Sequence, residues 1–490
     1  MSRVIVVGAG LAGLSAACHL LADGHDVTVV EREAGPGGCN GVLRADGFTF
    51  DTGPTVLTMP GLLQRPLQRV GGSLDALQLR RLDPGYRAFF ADGSRIDVRD
   101  SVPAMTGEIA ERVSDADAAA FTGFVDWLQE LYEVELPHFI ERNFDSPLDL
   151  LARPGAAARL IRLGGFGRLG PTVRRRFADD RLVRLFTFQA MYAGLAPDEA
   201  LALYAVITYM DSISGVWFPA QGMHAVPVAL AAALETAGAQ LRYRSPAERL
   251  LTDGQGRVAG VQVAGEKLAA DAVVLAGDLP SAYRELLPDL RPPRAARSGS
   301  YSPSAVVWHL GVRGRPPHEA AHHNIHFGRS WQEAFGQLIK RKELMADPSR
   351  MVTVPSLDAP GMAPDGHSVL YVLEPVPNLA AGLDWAVEGP ALRERLLSFL
   401  DAQGYPTQIV TETLVTPADW AARGMTAGTP FSLAHRFAQT GPFRPPNLER
   451  RRPGVFFAGA GTTPGVGIPM VLISGELAAR RVHDYLGGQR

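Results

Sequence analysis

At 490 residues, with a formal net charge of −3, 46% hydrophobic and 20% charged residues, the chain is too long for one hydrophobic core and too apolar to be disordered. Its near-balanced charge lacks the basic excess that a nucleic-acid partner demands, so any anion-seeking surface must be local. Cys18 and Cys39, the two cysteines, form no disulfide framework and fit free thiols in a reducing cytoplasm.

Arg3-Val4-Ile5-Val6-Val7 predicts a buried strand that breaks into Gly8-Ala9-Gly10-Leu11-Ala12-Gly13. Leu11, Leu14, Cys18 and Leu21 then recur at helical spacing until Gly24. The apolar run from Val4 to Leu21 is no signal peptide, because one Arg precedes it and no small-residue cleavage pattern follows. Nothing else approaches the roughly 20 uninterrupted apolar residues of a spanning helix. Val27 to Glu31 predicts a second parallel strand, closing a βαβ unit. Glu31 stands 18 residues beyond Gly13, placed to accept two ribose hydroxyls, while Gly8, Gly10 and Gly13 let backbone N–H groups approach a phosphate.

Gly35-Pro36-Gly37-Gly38 follows, small enough to pass beside a pyrophosphate. Phe48 and Phe50 then alternate into Gly53-Pro54-Thr55, a rigid turn that either lies against a ring system or is a plain hairpin edge. Residues 61–221 predict mixed helices and loops rather than further Rossmann repeats. Within them, residues 153–184 hold nine arginines (Arg153, Arg159, Arg162, Arg168, Arg174, Arg175, Arg176, Arg181, Arg184) against Asp179 and Asp180. That mixture reads either as a solvated basic face or as a surface for anionic lipid headgroups. The aromatic stretch from Arg181 to Trp217 reads as core more readily than as tunnel.

A helix over 226–237, strands at 241–244 and 258–263, and the buried run from Ala272 to Asp278 return the chain to α/β character. Asp278 reads locally as a turn or cap residue. From 291 to 449, strands are predicted at 305–310 and 368–373, and helices at 331–340 and 391–400. His322, His323 and His326 lie on one short segment where neighbouring histidines face opposite ways, so no metal site is predicted. Finally Val455 to Gly461 runs into Thr462 to Met470, a second strand, glycine turn and helix, whose helix dipole suits an anionic ring. Two such turns, one at each end, suggest a flavin held along its whole length. There is no Cys-x-x-Cys, nucleophile elbow or phosphate loop.

The expected architecture is α/β, with a Rossmann-like FAD-binding domain assembled from 1–60, 222–290 and 450–490. A mixed α+β substrate-binding and membrane-associating domain, 61–221 and 291–449, is inserted into it. The chain resembles the bacterial-type phytoene desaturases, FAD-dependent carotenoid desaturases among the amine-oxidase-like flavoproteins. The resemblance runs through Phe48 to Thr55, Gly215-Val216-Trp217-Phe218-Pro219, Gly222-Met223, His322 to Ile325, Pro364 to Ser368, Leu373 to Pro377, Phe443-Arg444-Pro445 and Gly459 to Met470. It implies that Gly8, Gly10, Gly13 and Glu31 hold the ADP half of FAD and that Gly37 and Gly38 line the pyrophosphate. It further implies that Ala247 flanks the adenine, and that Asp278, Gly459, Gly461, Gly467, Ile468, Pro469 and Met470 close on the flavin half, with Pro54 and Thr55 as further cofactor contacts. Cys39 and Asn40 stand where an Arg commonly follows the paired glycines.

The implied reaction is stepwise desaturation of phytoene toward neurosporene or lycopene, with quinone or oxygen as electron acceptor and no catalytic side chain nominated. The implied setting is the inner face of the membrane, docked through Arg153 to Arg184. Another carotenoid oxidoreductase (a diapophytoene or hydroxycarotenoid desaturase, or a ketolase), an amine oxidase, and a flavin-bound chaperone are the alternatives.

Overall fold

Five parallel strands form the first sheet of the computed structural model, which describes residues 1–488. Their order is Val455–Phe457, Ala272–Leu275, Arg3–Val7, Asp26–Val30, Gln240–Arg242. Alternate side chains of these strands enter different cores. Val4, Val6, Val27, Val29 and Val274 join the helices, whereas Ile5, Val273 and Leu275 meet Val261 and Val263 of a three-stranded antiparallel sheet, Ala247–Thr252, Val258–Val263 and Glu266–Ala269. Covered on both faces, the strands read as continuous apolar runs.

The helix Leu11–Ala22 packs against Ala225–Thr236 and Ile468–Gly487, so the first and last elements touch. Their approach is close because of Gly475. A Cβ there would lie 2.4 Å from Ala12 O and 2.8 Å from Ala16 N. Beside it the Ser15 hydroxyl donates to Leu472 O at 2.8 Å.

The second sheet has seven strands, ordered Gln408–Val415, Ser304–Arg313, His367–Val376, Arg350–Thr353, His323–His326, Tyr86–Phe89, Arg95–Val98. The last two come from a stretch in which the sequence predicted only helices and loops. Each is four residues, too short for alternation to stand out; they pair with each other, Arg87 forking onto Asp97 at 2.7 and 2.6 Å, and Tyr86–Phe89 joins the sheet through a distant strand, Asn324 aligning with Arg87. One face of this sheet, with Val306, Trp308, Leu310 and Val312, is covered by Leu392, Leu396 and Leu400 of the helix Trp385–Ala402. That helix begins earlier than the predicted 391 because Asp384 caps it, accepting from Ala386 N at 3.0 Å, and Pro390 is absorbed near its start.

A helical layer closes the remaining side. Its longest helix, Asp115–Glu135, carries Phe121 and Phe124 onto Phe177 and Phe186, with Phe124 centroids 5.1 and 5.2 Å from the latter two. No helix among the described residues is long and apolar enough to cross a membrane.

The Gly475 contact gives a direct test. Gly475→Ala should cost about 1–3 kcal/mol by overpacking, read as a lower urea midpoint. Gly487→Ala on the same helix, where an added Cβ meets nothing within 4 Å, should not lower it.

Candidate active site

A cavity of about 1550 Å³ separates the ends of the parallel strands from the inner face of the second sheet. Drug-sized ligands occupy about 300–1,000 Å³, so this space holds more than one such molecule. Of the residues singled out in the sequence, Gly8, Gly10, Glu31, Gly37, Gly38, Pro54, Thr55, Ala247, Asp278, Gly459, Gly461, Gly467, Ile468, Pro469 and Met470 all line it. Gly13 does not. Its Cβ would fall 2.0 Å from Gly8 O, so its glycine lets the first helix press against the Gly8 turn from behind.

One end of the cavity is floored by backbone. Gly8 and Gly38 take φ of +107° and +57°, conformations that L side chains resist. Gly37 N donates to Ala9 O at 2.9 Å, and a Cβ on Gly38 would sit 3.2 Å from Gly10 Cα. The buried Glu31 carboxylate is fixed beside this floor by Ala9 N at 2.7 Å and Glu33 N at 2.9 Å, leaving lone pairs for further donors. Ser245 N donates to Glu31 O at 2.8 Å, which brings Ala247 alongside. Asp278 takes the local role its sequence suggested, capping Leu279–Leu286 through Ser281 N at 3.1 Å, and it also accepts from the Thr426 hydroxyl at 2.6 Å.

The C-terminal turn enters from the other side. Gly467, with φ +112°, starts the 20-residue helix Ile468–Gly487, whose N-terminus and partial positive charge face the cavity. The loop before it is held by a residue that sequence reasoning gave no role. Arg444, fully buried, donates to Thr462 O at 3.0 Å, Gln439 O at 3.2 Å, Leu433 O at 3.2 Å and Ala460 O at 2.5 Å. Burial pulls its guanidinium down to about 10, so it stays charged.

Phe48 and Phe50 do not meet the cavity. They fill the hairpin Val42–Ala45 and Phe48–Asp51, where the Phe48 ring covers Gly311, whose Cβ would lie 2.8 Å from it. The hairpin reading therefore describes these aromatics, and only Pro54 and Thr55 beyond them reach the cavity. Asp51, unnoticed in the sequence, ties this segment to the Gly222 turn by accepting from Met223 N at 2.8 Å and His224 N at 2.9 Å.

The other end of the cavity is apolar. The 181–217 stretch divides: Phe188, Met191, Tyr192 and Tyr204 line the space, while Phe186 joins the core and Tyr209 stacks on Tyr132 at 4.7 Å. Val307, Ile325, Phe327, Trp331 and Leu373 line it from the second sheet and its flank. Two buried polar atoms on this wall have no partner, Glu135 Oε1 and His435 Nε2. Burial raises Glu135 far above the usual carboxylate range and drops His435 far below the usual imidazole, so both are neutral. Where an Arg was expected after Gly38, Cys39 lines the cavity, its thiol raised chiefly by burial and lowered by the charge of Arg423. Arg423 lines the same wall, its guanidinium 5.0 Å from the Trp420 ring centroid, and supplies a cation from a distant segment.

Residues 11–483 match the family described as flavin containing amine oxidoreductase. The chain belongs to that family. Among its relatives, the phytoene dehydrogenase of Streptomyces griseus is 49% identical, covering 98% of this chain and 95% of that one. The zeta-carotene-forming phytoene desaturase of Myxococcus xanthus is 38% identical over 99% and 95%. Cyclohexylamine oxidase from Brevibacterium oxydans shares the fold, with a TM-score of 0.60 at 18% identity over 99% of both chains. The family's cofactor is FAD, and the site's chemistry fits it. A side-chain-free floor suits a pyrophosphate, a fixed carboxylate suits a ribose, and a helix N-terminus suits an electron-rich ring.

Glu31→Gln removes the charged acceptor and should weaken FAD binding roughly 10- to 100-fold, the equivalent of about 1.5–3 kcal/mol. Flavin titration of the apoprotein measures this; an unchanged Kd would deny Glu31 a cofactor role.

Proposed function

We propose that the chain is an FAD-dependent desaturase that converts phytoene stepwise into more conjugated carotenes such as neurosporene or lycopene. The observation that carries this reading is the cavity's second half, a wall dominated by Phe, Met, Trp, Ile and Leu side chains, on which burial holds Glu135 and His435 neutral. Such a wall matches a hydrocarbon, which binds by burial at about 25 cal/mol per Å² of apolar area and needs no ionic anchor. Relatives named for phytoene and diapophytoene desaturation point the same way.

In this reading residues 1–60, 222–290 and 450–490 form the FAD-binding domain, and 61–221 with 291–449 form the substrate domain. The five-stranded sheet draws its strands from the first set and the seven-stranded sheet from the second, which supports that division. The glycines at 8, 10, 37 and 38 seat the pyrophosphate and Glu31 the ribose. Pro54, Thr55 and the Gly459 to Met470 turn hold the ring end. FAD supplies the two-electron hydride acceptor. The chain's own contribution is to align an allylic carbon with that acceptor and to exclude water from the allylic cation left behind, which extending conjugation stabilises.

The same reading sets the protein on the inner face of a membrane, with quinone or oxygen taking the electrons. In this reading an apolar rim, more than the arginines, is the main contact. Leu148, Ile161, Phe166, Phe437 and Phe443 are exposed, the last three also line the cavity, and Pro147–Ala152 contacts Gly441–Phe443. Most arginines of residues 153–184 are engaged elsewhere: Arg174 with Asp198, Arg181 with Asp179, Arg184 with Asp180, and Arg176 4.1 Å from the Trp127 ring centroid. Arg162, and Arg153 although bonded to His138 Nδ1 at 2.9 Å, are exposed on either end of the short helix that carries Ile161.

Two experiments test this. Holoprotein incubated with phytoene in liposomes, with and without a quinone, should yield coloured carotenes on chromatography; intact phytoene under every acceptor would refute the activity. Ile161→Glu with Phe437→Glu should lower co-sedimentation with anionic vesicles by roughly tenfold or more, since each substitution forfeits apolar burial worth about 1.5–3 kcal/mol. Unchanged co-sedimentation would remove the rim from the membrane contact.

A further inference from the structure

Asp211 stands alone in the sequence, within an apolar run, yet the fold builds a site around it. It lies on the turn Tyr209–Ile213, is 3% exposed, and lines the cavity. Its Oδ1 accepts from the Ser212 hydroxyl at 2.6 Å and from Gln189 Nε2 at 3.3 Å, and its Oδ2 accepts from the Tyr86 hydroxyl at 3.1 Å. Gln189 is itself held, its Oε1 accepting from Thr208 at 3.3 Å. Tyr192, whose ring and that of Tyr86 both pack edge-on to Phe188, lines the cavity beside this cluster.

Three donors thus converge on an anion that has no cation beside it. Tyr86 faces it from its own strand, Gln189 and Tyr192 from the turn Phe188–Ala193, and Ser212 from its own turn. Behind Tyr86 lies His323, ring centroids 5.4 Å apart, which burial holds neutral with a pKa lowered to about 3. His323 Nε2 is 3.0 Å from Thr55 O, which places the cluster next to the segment assigned to the flavin end. Glu135, the other buried acid at the apolar end, has no partner for its Oε1, and burial is the one cause of its shift, so nothing stabilises its anion.

We propose that Asp211 is the proton acceptor of the desaturation, a step that rests on the desaturase reading above. An allylic C–H bond breaks with both electrons and its hydrogen passing as hydride to FAD, which is reduced by two electrons. That transfer is reversible and is drawn forward only as the C–H bond on the adjacent carbon breaks, its electron pair closing the new C=C bond and its proton passing to the Asp211 carboxylate, so net flavin reduction depends on the base. The proton leaves Asp211 for solvent before the next round. Burial pushes this carboxyl up to about 7 and its three donors hold it there, near the working pH at which a general base is most effective.

The sign of the pH effect follows. Asp211 is neutral below about 7 and ionised above it, so a rate that needs the base rises with pH through that value. In anaerobic mixing of holoenzyme with phytoene vesicles, flavin bleaching in the wild type should follow this rise. Asp211→Asn should retain FAD, slow bleaching by about 10²–10⁴-fold and flatten the profile, with Asp211→Glu restoring part of the rate. Gln189→Leu, which removes one donor, should move the inflection upward. Infrared difference spectra of the holoenzyme without substrate should show a protonated carboxyl band that disappears with a midpoint near 7 and is missing in Asp211→Asn.

Bleaching in Asp211→Asn within threefold of wild type with the same pH profile would overturn the proposal, as would an infrared band unaffected by the substitution. If Asp211→Asn loses its FAD, an unmoved inflection in Gln189→Leu would overturn it instead. Wild-type enzyme that never bleaches would refute the desaturase reading, and the proposal with it, whatever the infrared titration shows about Asp211.

Discussion

The structure depends on one close approach, the crossing of two backbone loops at Gly10 and Gly38. The first follows the strand Arg3–Val7 and the second follows Asp26–Val30, and they are fastened by Gly37 N to Ala9 O at 2.9 Å. A Cβ on Gly38 would press on Gly10 Cα at 3.2 Å, and Gly38 takes a φ of +57°, so glycine there is required by sterics and not by turn preference alone. The same economy recurs at the far end of the chain. Gly475 brings the last helix onto the first, and Gly459 N donates to Ser474 Oγ at 3.0 Å. Residues more than 450 positions apart therefore set each other's position, and the cofactor floor and the ring-end turn move as one body.

From that floor outward the cavity changes character. At the cofactor end the polar groups are fixed by backbone: Glu31 is tied by two backbone N–H groups, and Arg444 is satisfied by four carbonyls. At the apolar end burial strips the charge from His435 and Glu135, His309 behind the hairpin falls to about 4, and Asp211 keeps access to its anion only through the three donors around it. A charge left on that wall would cost several kcal/mol without a partner. One continuous space can thus present ionic recognition to a nucleotide and a neutral surface to a hydrocarbon.

The sequence made the floor legible because its signals are local. A strand, a glycine turn, a helix and an acid at the next strand's end fall within 31 residues, and the second turn is equally compact. Gly13 was grouped with the ligand-facing glycines, since spacing cannot tell a glycine that opens space for a phosphate from one that opens space for a helix. Phe48 and Phe50 stayed ambiguous because alternation places them on one face without naming what that face meets, which proved to be Gly311. Tyr86–Phe89 and Arg95–Val98 were missed as strands because each is only four residues long and the strand that ties their hairpin into the sheet begins at residue 323. Asp211 and Arg444 were illegible as functional residues for the same reason. Their neighbours in sequence are unremarkable, and their meaning comes from groups such as Tyr86, 125 residues away.

Arg444 shows how such a distant assembly bears on the chemistry. A buried guanidinium without an acid beside it is expensive, and the four carbonyls it collects offset that cost only because the loop from Gly459 to Thr463 is wrapped around it. Retaining the charge puts a fixed cation behind the same loop whose other side meets the N-terminus of Ile468–Gly487. The guanidinium and the helix N-terminus thus both bring positive charge to this loop. An electron-rich ring is favoured there over an electron-poor one, so the arrangement that fastens the loop also biases the site toward accepting a hydride.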